Sequence, residues 1–141
     1  MIDSDVIEQK IDIIQEQLAY LSEVEEDGQE AFTDSFERKQ AVKHSLQEAI
    51  EACIDIGNHI AAAENLSRGE DLSDIFGSLA DAGVVDDDLG ARLEEMTKFR
   101  NLLIHRYAYV DEDRLWTIAT EDINDIPAFV EAVQGYLAES G

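Results

Sequence analysis

Asp5-Val-Ile-Glu-Gln-Lys-Ile-Asp-Ile-Ile-Gln-Glu-Gln-Leu-Ala-Tyr-Leu-Ser-Glu-Val-Glu25 is the stretch whose reading decides the fold class. Ile7, Ile11, Ile14, Leu18 and Leu21 recur in steps of four and three, so they line one face of an α-helix. The apolar stripe is narrow and the rest of the surface is charged, which is the pattern of a helix in a bundle or coiled-coil seam. Ser4 or Asp5 is placed to cap it, acids crowd its first turn, and Gly28 ends it.

The same period continues outward from this segment. Asp34 or Ser35 is expected to cap a second long helix reaching about Glu64, with Val42, Leu46, Ala49, Cys53, Ile56 and Ile60 as its stripe. Ser73 opens a short helix through about Ala82, and Gly83 fits the position after its end. Asp86 to Asp88 cap a further helix whose inner side is Leu89, Leu93, Met96, Phe99 or Arg100, and Leu103, and which decays between His105 and Tyr109. Asp111 to Asp113 read as a turn, and Leu115 to Ile118 as an extended link. A last helix covers about Ile123 to Glu139, with Ile126, Phe129, Val130, Val133 and Leu137 inward and Pro127 in the first turn, where proline is tolerated. The expected architecture is all-α: an antiparallel up-and-down bundle of four main helices plus a short one, filling residues 1–141 as a single domain.

The chain carries 33 Asp and Glu against 10 Lys and Arg, a formal charge of −23, yet 45% of its residues are hydrophobic. That apolar share excludes a disordered acidic tail. The charge excludes a generic basic nucleic-acid binder that draws phosphate in by a global field. It suits a surface kept soluble in concentrated salt, where carboxylate repulsion is screened within a few ångströms, and points to a halophilic source. The single cysteine, Cys53, excludes an internal disulfide and falls on an apolar helix face. The acidic N-terminus is not expected to act as a signal peptide, no run of about 18 apolar residues is present to span a membrane, and a cytoplasmic location is expected.

The positive charge is unevenly placed. Arg38, Lys39 and Lys43 lie with His44 in an acid-free window from Arg38 to Gln47. Lys98, Arg100 and Arg106 lie with His105 in another, from Met96 to Val110. These windows hold six of the ten basic residues, and local charge is what a phosphate meets at short range. The second window contains Arg100-Asn-Leu-Leu-Ile-His-Arg-Tyr107. On a helix Asn101 and His105 share a face, so an amide there is placed to fix the imidazole tautomer. Arg100 and His105 are about 140° apart around an ideal helix. They converge on one small ligand only if the helix breaks near His105, or if two copies face each other across a two-fold axis. An imidazole, a guanidinium and phenols suit phosphodiester chemistry, with His105 as acid or base and Arg100 on the phosphoryl oxygens. No metal-ligand spacing is present and no cofactor is expected. A capped helix end with an interfacial tyrosine is the plainer reading of the same residues.

Arg100 to Tyr107 resembles the Arg-x4-His-x-Tyr motif of the HepT family, within the HEPN superfamily. The segment Ser45 to Ile60 resembles that family's long second helix, Phe76 to Asp86 its short helix, and Asp125 to Val130 the start of its last helix. The resemblance implies an all-α homodimer that is a metal-independent endoribonuclease toxin. It implies a cognate minimal nucleotidyltransferase antitoxin as partner, RNA as substrate, and AMP transfer from that partner onto Tyr107, leaving a phosphate-bearing tyrosine. Arg100 and His105 take the catalytic positions, and Asn101 matches the residue that commonly follows the arginine. Lys43 stands where an arginine is frequent; lysine keeps the charge but loses the bidentate fork.

Asp55, Asn58 and His59 share a helix face and either support the catalytic groups or form a polar, hydrogen-bonded face. His44 reads as a surface residue, and Trp116 and Tyr109 as packing or interface residues. Two other functions fit the same residues. One is a non-catalytic helical protein that binds a nucleotidyltransferase partner or a nucleotide; the other is a purely structural dimerisation bundle.

Overall fold

Asp3, one residue before the expected caps, starts the first helix by accepting hydrogen bonds from the Asp5 and Val6 amides through its carboxylate. In this computed structural model, which describes residues 2–105 and 110–140, helix α1 runs Ser4–Asp27. Ile7, Ile11, Ile14 and Leu21 are buried as the spacing predicts, Leu18 is half-buried, and Val24 extends the stripe. Gly28, at φ 93°, ends α1 in a conformation that an L side chain rarely adopts and leads directly into a short α2, Gln29–Thr33.

Helix α3, Phe36–Ala63, is capped by the Ser35 hydroxyl, which accepts from the Arg38 amide. It runs antiparallel to α1. The Asp3 amide donates to His59 Nε2 at 3.0 Å, Lys10 pairs with Asp55 at 3.1 Å, and Arg38 pairs with Asp27 at 2.6 Å, in reverse order along the two helices. The expected stripe of α3 is buried in full, but Ser45, Ile50, Ala52, Ile54, Gly57 and Ala61 are buried too. Helix α3 is thus covered on more than one side and is the central member of the bundle. At Gly57 the absent side chain admits α4, Asp74–Asp81: a Cβ there would lie 3.0 Å from Ile75 Cγ1 and 3.2 Å from Leu79 Cδ1.

Helix α4 ends as the sequence suggests. Gly83 adopts φ 82°, its amide donates to the Ala80 carbonyl, and the Val84 amide donates to the Leu79 carbonyl, the paired bonds of a Schellman cap. Helix α5, Asp87–His105, buries Leu89, Leu93, Met96, Phe99 and Leu103, and the Asp86 carboxylate accepts from the Leu89 amide. Helix α7, Asp125–Ser140, follows a single 3-10 turn at Asp122–Asn124 and buries Ile126, Phe129, Val130 and Val133. Phe129 meets Phe76 edge to face, with ring centroids 5.6 Å apart. The four long helices α1, α3, α5 and α7 form the antiparallel up-and-down bundle expected.

Besides the short α2, which the sequence did not reveal, one further element departs from expectation. The stretch read as an extended link is helix α6, Glu112–Thr120. The Asp111 carboxylate, assigned above to a turn, caps it by accepting from the Asp113 and Arg114 amides at 2.8 and 3.2 Å. Leu115, Ile118 and Ala119 then face the core at helical spacing. Trp116 packs on Phe32 of α2, with centroids 5.3 Å apart, so the two helices that the sequence did not reveal pack on each other. Among the described residues there are only helical elements, and no helix is long and apolar enough to cross a membrane.

Candidate functional site

Arg100 lies in the last turns of α5, where the helix crosses α3. Its side chain is 16% exposed, and Nη2 donates to Glu51 Oε1 of α3 at 2.6 Å. Nη1 donates to the side-chain oxygen of its neighbour Asn101 at 3.0 Å. Nε is buried and has no partner among the described residues. The guanidinium is thus gripped at both ends of its fork while one donor stays unsatisfied, a costly state for a buried polar atom.

Glu51 is the residue that the sequence did not single out. Its carboxylate also accepts from Gln47 Nε2 at 3.4 Å, one turn earlier on α3. A further turn along, Lys43 is half-buried and donates to Gln40 at 3.3 Å. Lys43, Gln47 and Glu51, spaced four apart, share one face of α3, which sets Lys43 two turns from the residue that holds Arg100. The only sequence signal for Glu51 was its place two steps of four from Lys43, and a partner 49 positions away in the chain leaves no local trace.

His105 is the last residue of α5 and is exposed. The helix is continuous from Arg100 to His105, so the two groups stand about 140° apart and about 7.5 Å apart along the axis of an ideal helix. A break before His105, one of the two routes to convergence, does not occur. Asn101 was expected to orient the imidazole, but its amide oxygen is turned to Arg100 instead, and His105 has no hydrogen bond among the described residues. Arg106, Tyr107 and Tyr109 lie outside the described residues.

None of the other candidates is hydrogen-bonded to the guanidinium among the described residues. Asp55 is exposed and paired with Lys10 of α1, and His59 accepts from the Asp3 amide. Asn58 is half-buried between them on the same face of α3. These contacts are those of a polar face that fastens α1 to α3. His44 is exposed, as expected.

The two acid-free windows are not free of acids in space. Arg38 meets Asp27, Lys39 meets Glu112 at 2.8 Å, Lys98 meets Glu95 at 3.2 Å, and Arg100 meets Glu51. Each acid lies outside the window of its partner, and the fold delivers it. Cys53 is fully buried, and burial pushes its thiol well above the ordinary range, so it is held neutral in the core. A cleft of about 230 Å³ lies between α5, α6 and the start of α7, over Met96 and Phe99 and beside Arg92 and Arg114, but neither Arg100 nor His105 lines it.

An all-α bundle that presents an arginine held at the seam of two long helices, with a histidine five residues on at the helix end, is the architecture of a HEPN domain. The chain belongs to the ribonuclease HepT-like family, which it matches over residues 7–133. It is 28% identical over 131 residues to the mRNA nuclease HepT of Shewanella oneidensis, an alignment that covers 93% of this chain and 98% of that one. It is 23% identical over 132 residues to the tRNA nuclease HepT of Aphanizomenon flos-aquae, covering 94% of this chain and 90% of that one. Among solved structures it is similar to the tri-AMPylated Shewanella oneidensis HEPN toxin in complex with MNT antitoxin, with a TM-score of 0.86 and 28% identity over 93% of this chain and 98% of that one. A toxin-antitoxin structure with AMP-PNP gives a TM-score of 0.87 at 27% identity, over the same shares of the two chains.

Proposed function

We propose that this chain is the ribonuclease toxin of a pair whose other member is a nucleotidyltransferase antitoxin. The relatives named as mRNA and tRNA nucleases support the activity, and the solved toxin bound to an MNT antitoxin supports the partner. The observation that carries the catalytic assignment is the unbroken helix from Arg100 to His105. Because one helix cannot bring the two groups together, the working site is built by two copies of the chain related by a two-fold axis. The homodimer is therefore part of the mechanism.

In that site the ribose 2′-oxygen attacks the adjacent phosphorus while one His105 takes its proton. The bond from phosphorus to the 5′-oxygen breaks, and the other His105 protonates the leaving oxygen. The products are a 2′,3′-cyclic phosphate and a 5′-hydroxyl. Arg100 offers its planar fork to the phosphoryl oxygens as charge develops on them. Acid–base assistance of this kind contributes roughly 10²- to 10⁴-fold. Lys43 adds positive charge two turns along α3, and Asn101 holds the near side of the fork. Tyr107 is the acceptor of AMP from the partner, which adds negative charge and bulk seven residues beyond Arg100 in the chain.

His105→Ala is expected to abolish cleavage of an RNA pool while leaving the melting curve unchanged, with chelator present throughout. Cleavage that persists in that protein refutes the assignment. One observation favours a second reading, a non-catalytic partner-binding protein: the Arg100 guanidinium already holds a carboxylate in the place where a phosphate would sit.

A further inference from the structure

We infer that Glu51 is a built-in competitor of the RNA phosphate, an internal anion that occupies Arg100 until substrate displaces it. This rests on the reading of Arg100 as the phosphate ligand. Three observations carry it. The Glu51 carboxylate sits 2.6 Å from Nη2, the distance of a strong charge-assisted bond, and presents to the guanidinium the same kind of oxygen that a phosphoryl group would. Glu51 is itself only half-buried, with a side chain 32% exposed, and its second contact is a single long bond from Gln47 at 3.4 Å. It is therefore lightly held from behind and able to swing out to water. Finally, Arg100 Nε is buried and has no partner among the described residues, so the pair does not exhaust the fork; once Glu51 swings away, the edge formed by Nη2 and Nε is uncovered with a donor that the carboxylate leaves unused.

The arrangement resolves the conflict between a satisfied arginine and a catalytic one. A lone guanidinium at 16% exposure carries a desolvation cost, and Glu51 offsets it in the resting protein. A phosphodiester, which carries the same single charge on two non-bridging oxygens and is held by the rest of the bound RNA, then takes over, satisfying Nη2 and Nε together. Displacement is uniform: it is complete before the transition state, so it weakens substrate binding without slowing the chemical step.

The test is the binding of a 2′-O-methylated single-stranded RNA oligonucleotide of mixed sequence, followed by fluorescence anisotropy in salt sufficient to screen the acidic surface. Glu51→Gln keeps the size and one acceptor oxygen but removes the charge. It is expected to bind roughly fivefold to tenfold more tightly, the effect of deleting one like charge about 4 Å from the phosphate in a wet site. In cleavage assays its KM falls by a similar factor with kcat unchanged. Glu51→Asp keeps the charge but draws it back by one methylene, and falls between wild type and Glu51→Gln. Arg100→Ala lowers binding, and the gain from Glu51→Gln vanishes in the double variant. If Arg100→Ala lowers binding but Glu51→Gln leaves it unchanged or weakens it, Glu51 is a structural partner and the inference fails while the role of Arg100 stands. If Arg100→Ala has no effect on binding, the phosphate role of Arg100 fails, and the inference falls with it.

Discussion

Gly57→Ala tests the packing that sets α4, and through it the start of α5, against the central helix. Two effects of known size oppose each other. Replacing glycine by alanine inside a helix stabilises by about 0.8–1 kcal/mol, because alanine loses less backbone freedom. Against this, the new methyl would sit 3.0 Å from Ile75 Cγ1 and 3.2 Å from Leu79 Cδ1, where carbon atoms prefer roughly 3.5–4.0 Å. Ile75 and Leu79 are both buried and cannot turn outward, and overpacking of this sort costs about 1–3 kcal/mol. The net expectation is a loss of about 1 kcal/mol, or about 3–5 °C in Tm for a chain of this length. The assay is urea and thermal unfolding at fixed high salt, so that self-repulsion of the acidic surface is constant. A double-mutant cycle with Ile75→Ala isolates the cause: with the Ile75 methyls gone, Gly57→Ala becomes neutral or stabilising, a coupling of about 1–2 kcal/mol. A Gly57→Ala protein that melts several degrees higher in the wild-type background refutes the close approach of α3 and α4.

Three further outcomes are expected. Asp111→Ala removes the α6 cap and is expected to cost about 1 kcal/mol, with Trp116, the sole tryptophan, reporting the earlier loss of α6 in a urea titration. Cys53 should resist thiol reagents in the folded protein at mildly alkaline pH and react on unfolding. Its folded value lies above its unfolded one, so its contribution to stability is complete below the ordinary thiol value of about 8.5 and declines as the pH rises beyond it, by at most about 1.4 kcal/mol per pH unit. Co-expression with a minimal nucleotidyltransferase should raise the intact mass by one or more AMP units, and Tyr107→Phe should abolish the increase; an unchanged wild-type mass counts against Tyr107 as acceptor.

The long helices were legible because their burial is one-sided or nearly so. In α1 and α7 a single stripe meets the core, and the period shows in the sequence. Helix α3 was placed correctly but its environment was not, since a helix wrapped by neighbours carries apolar and small residues around most of its girth, and only the strongest stripe stands out. Helices α2 and α6 escaped notice for a different reason. Five and nine residues give too few repeats to establish a period, and Thr117, Ile118 and Thr120 favour extended structure locally. The Asp111 cap and the contact between Phe32 and Trp116 override that preference. Arg100, Asn101 and His105 were singled out by the family motif, while their spacing alone favoured a plain helix end and placed Asn101 against His105 rather than against Arg100, where it is found. Glu51 and the acids facing the basic windows were not, because ion pairs between elements depend on the register of two helices rather than on any run of residues.

The placement of the two catalytic candidates on one helix has a consequence for motion. Arg100 lies within α5 with Phe99 and Leu103 buried beside it, so exposing its backbone to exchange demands separation of α5 from α3, close to global unfolding. His105, at the end of the described part of that helix, is exposed and has no hydrogen bond among the described residues. The pair thus joins an anchor that is fixed as long as the domain is folded to a side chain that no described neighbour holds. In the proposed site, such a division lets one half hold a phosphate in register while the other half adapts to whichever ribose is presented.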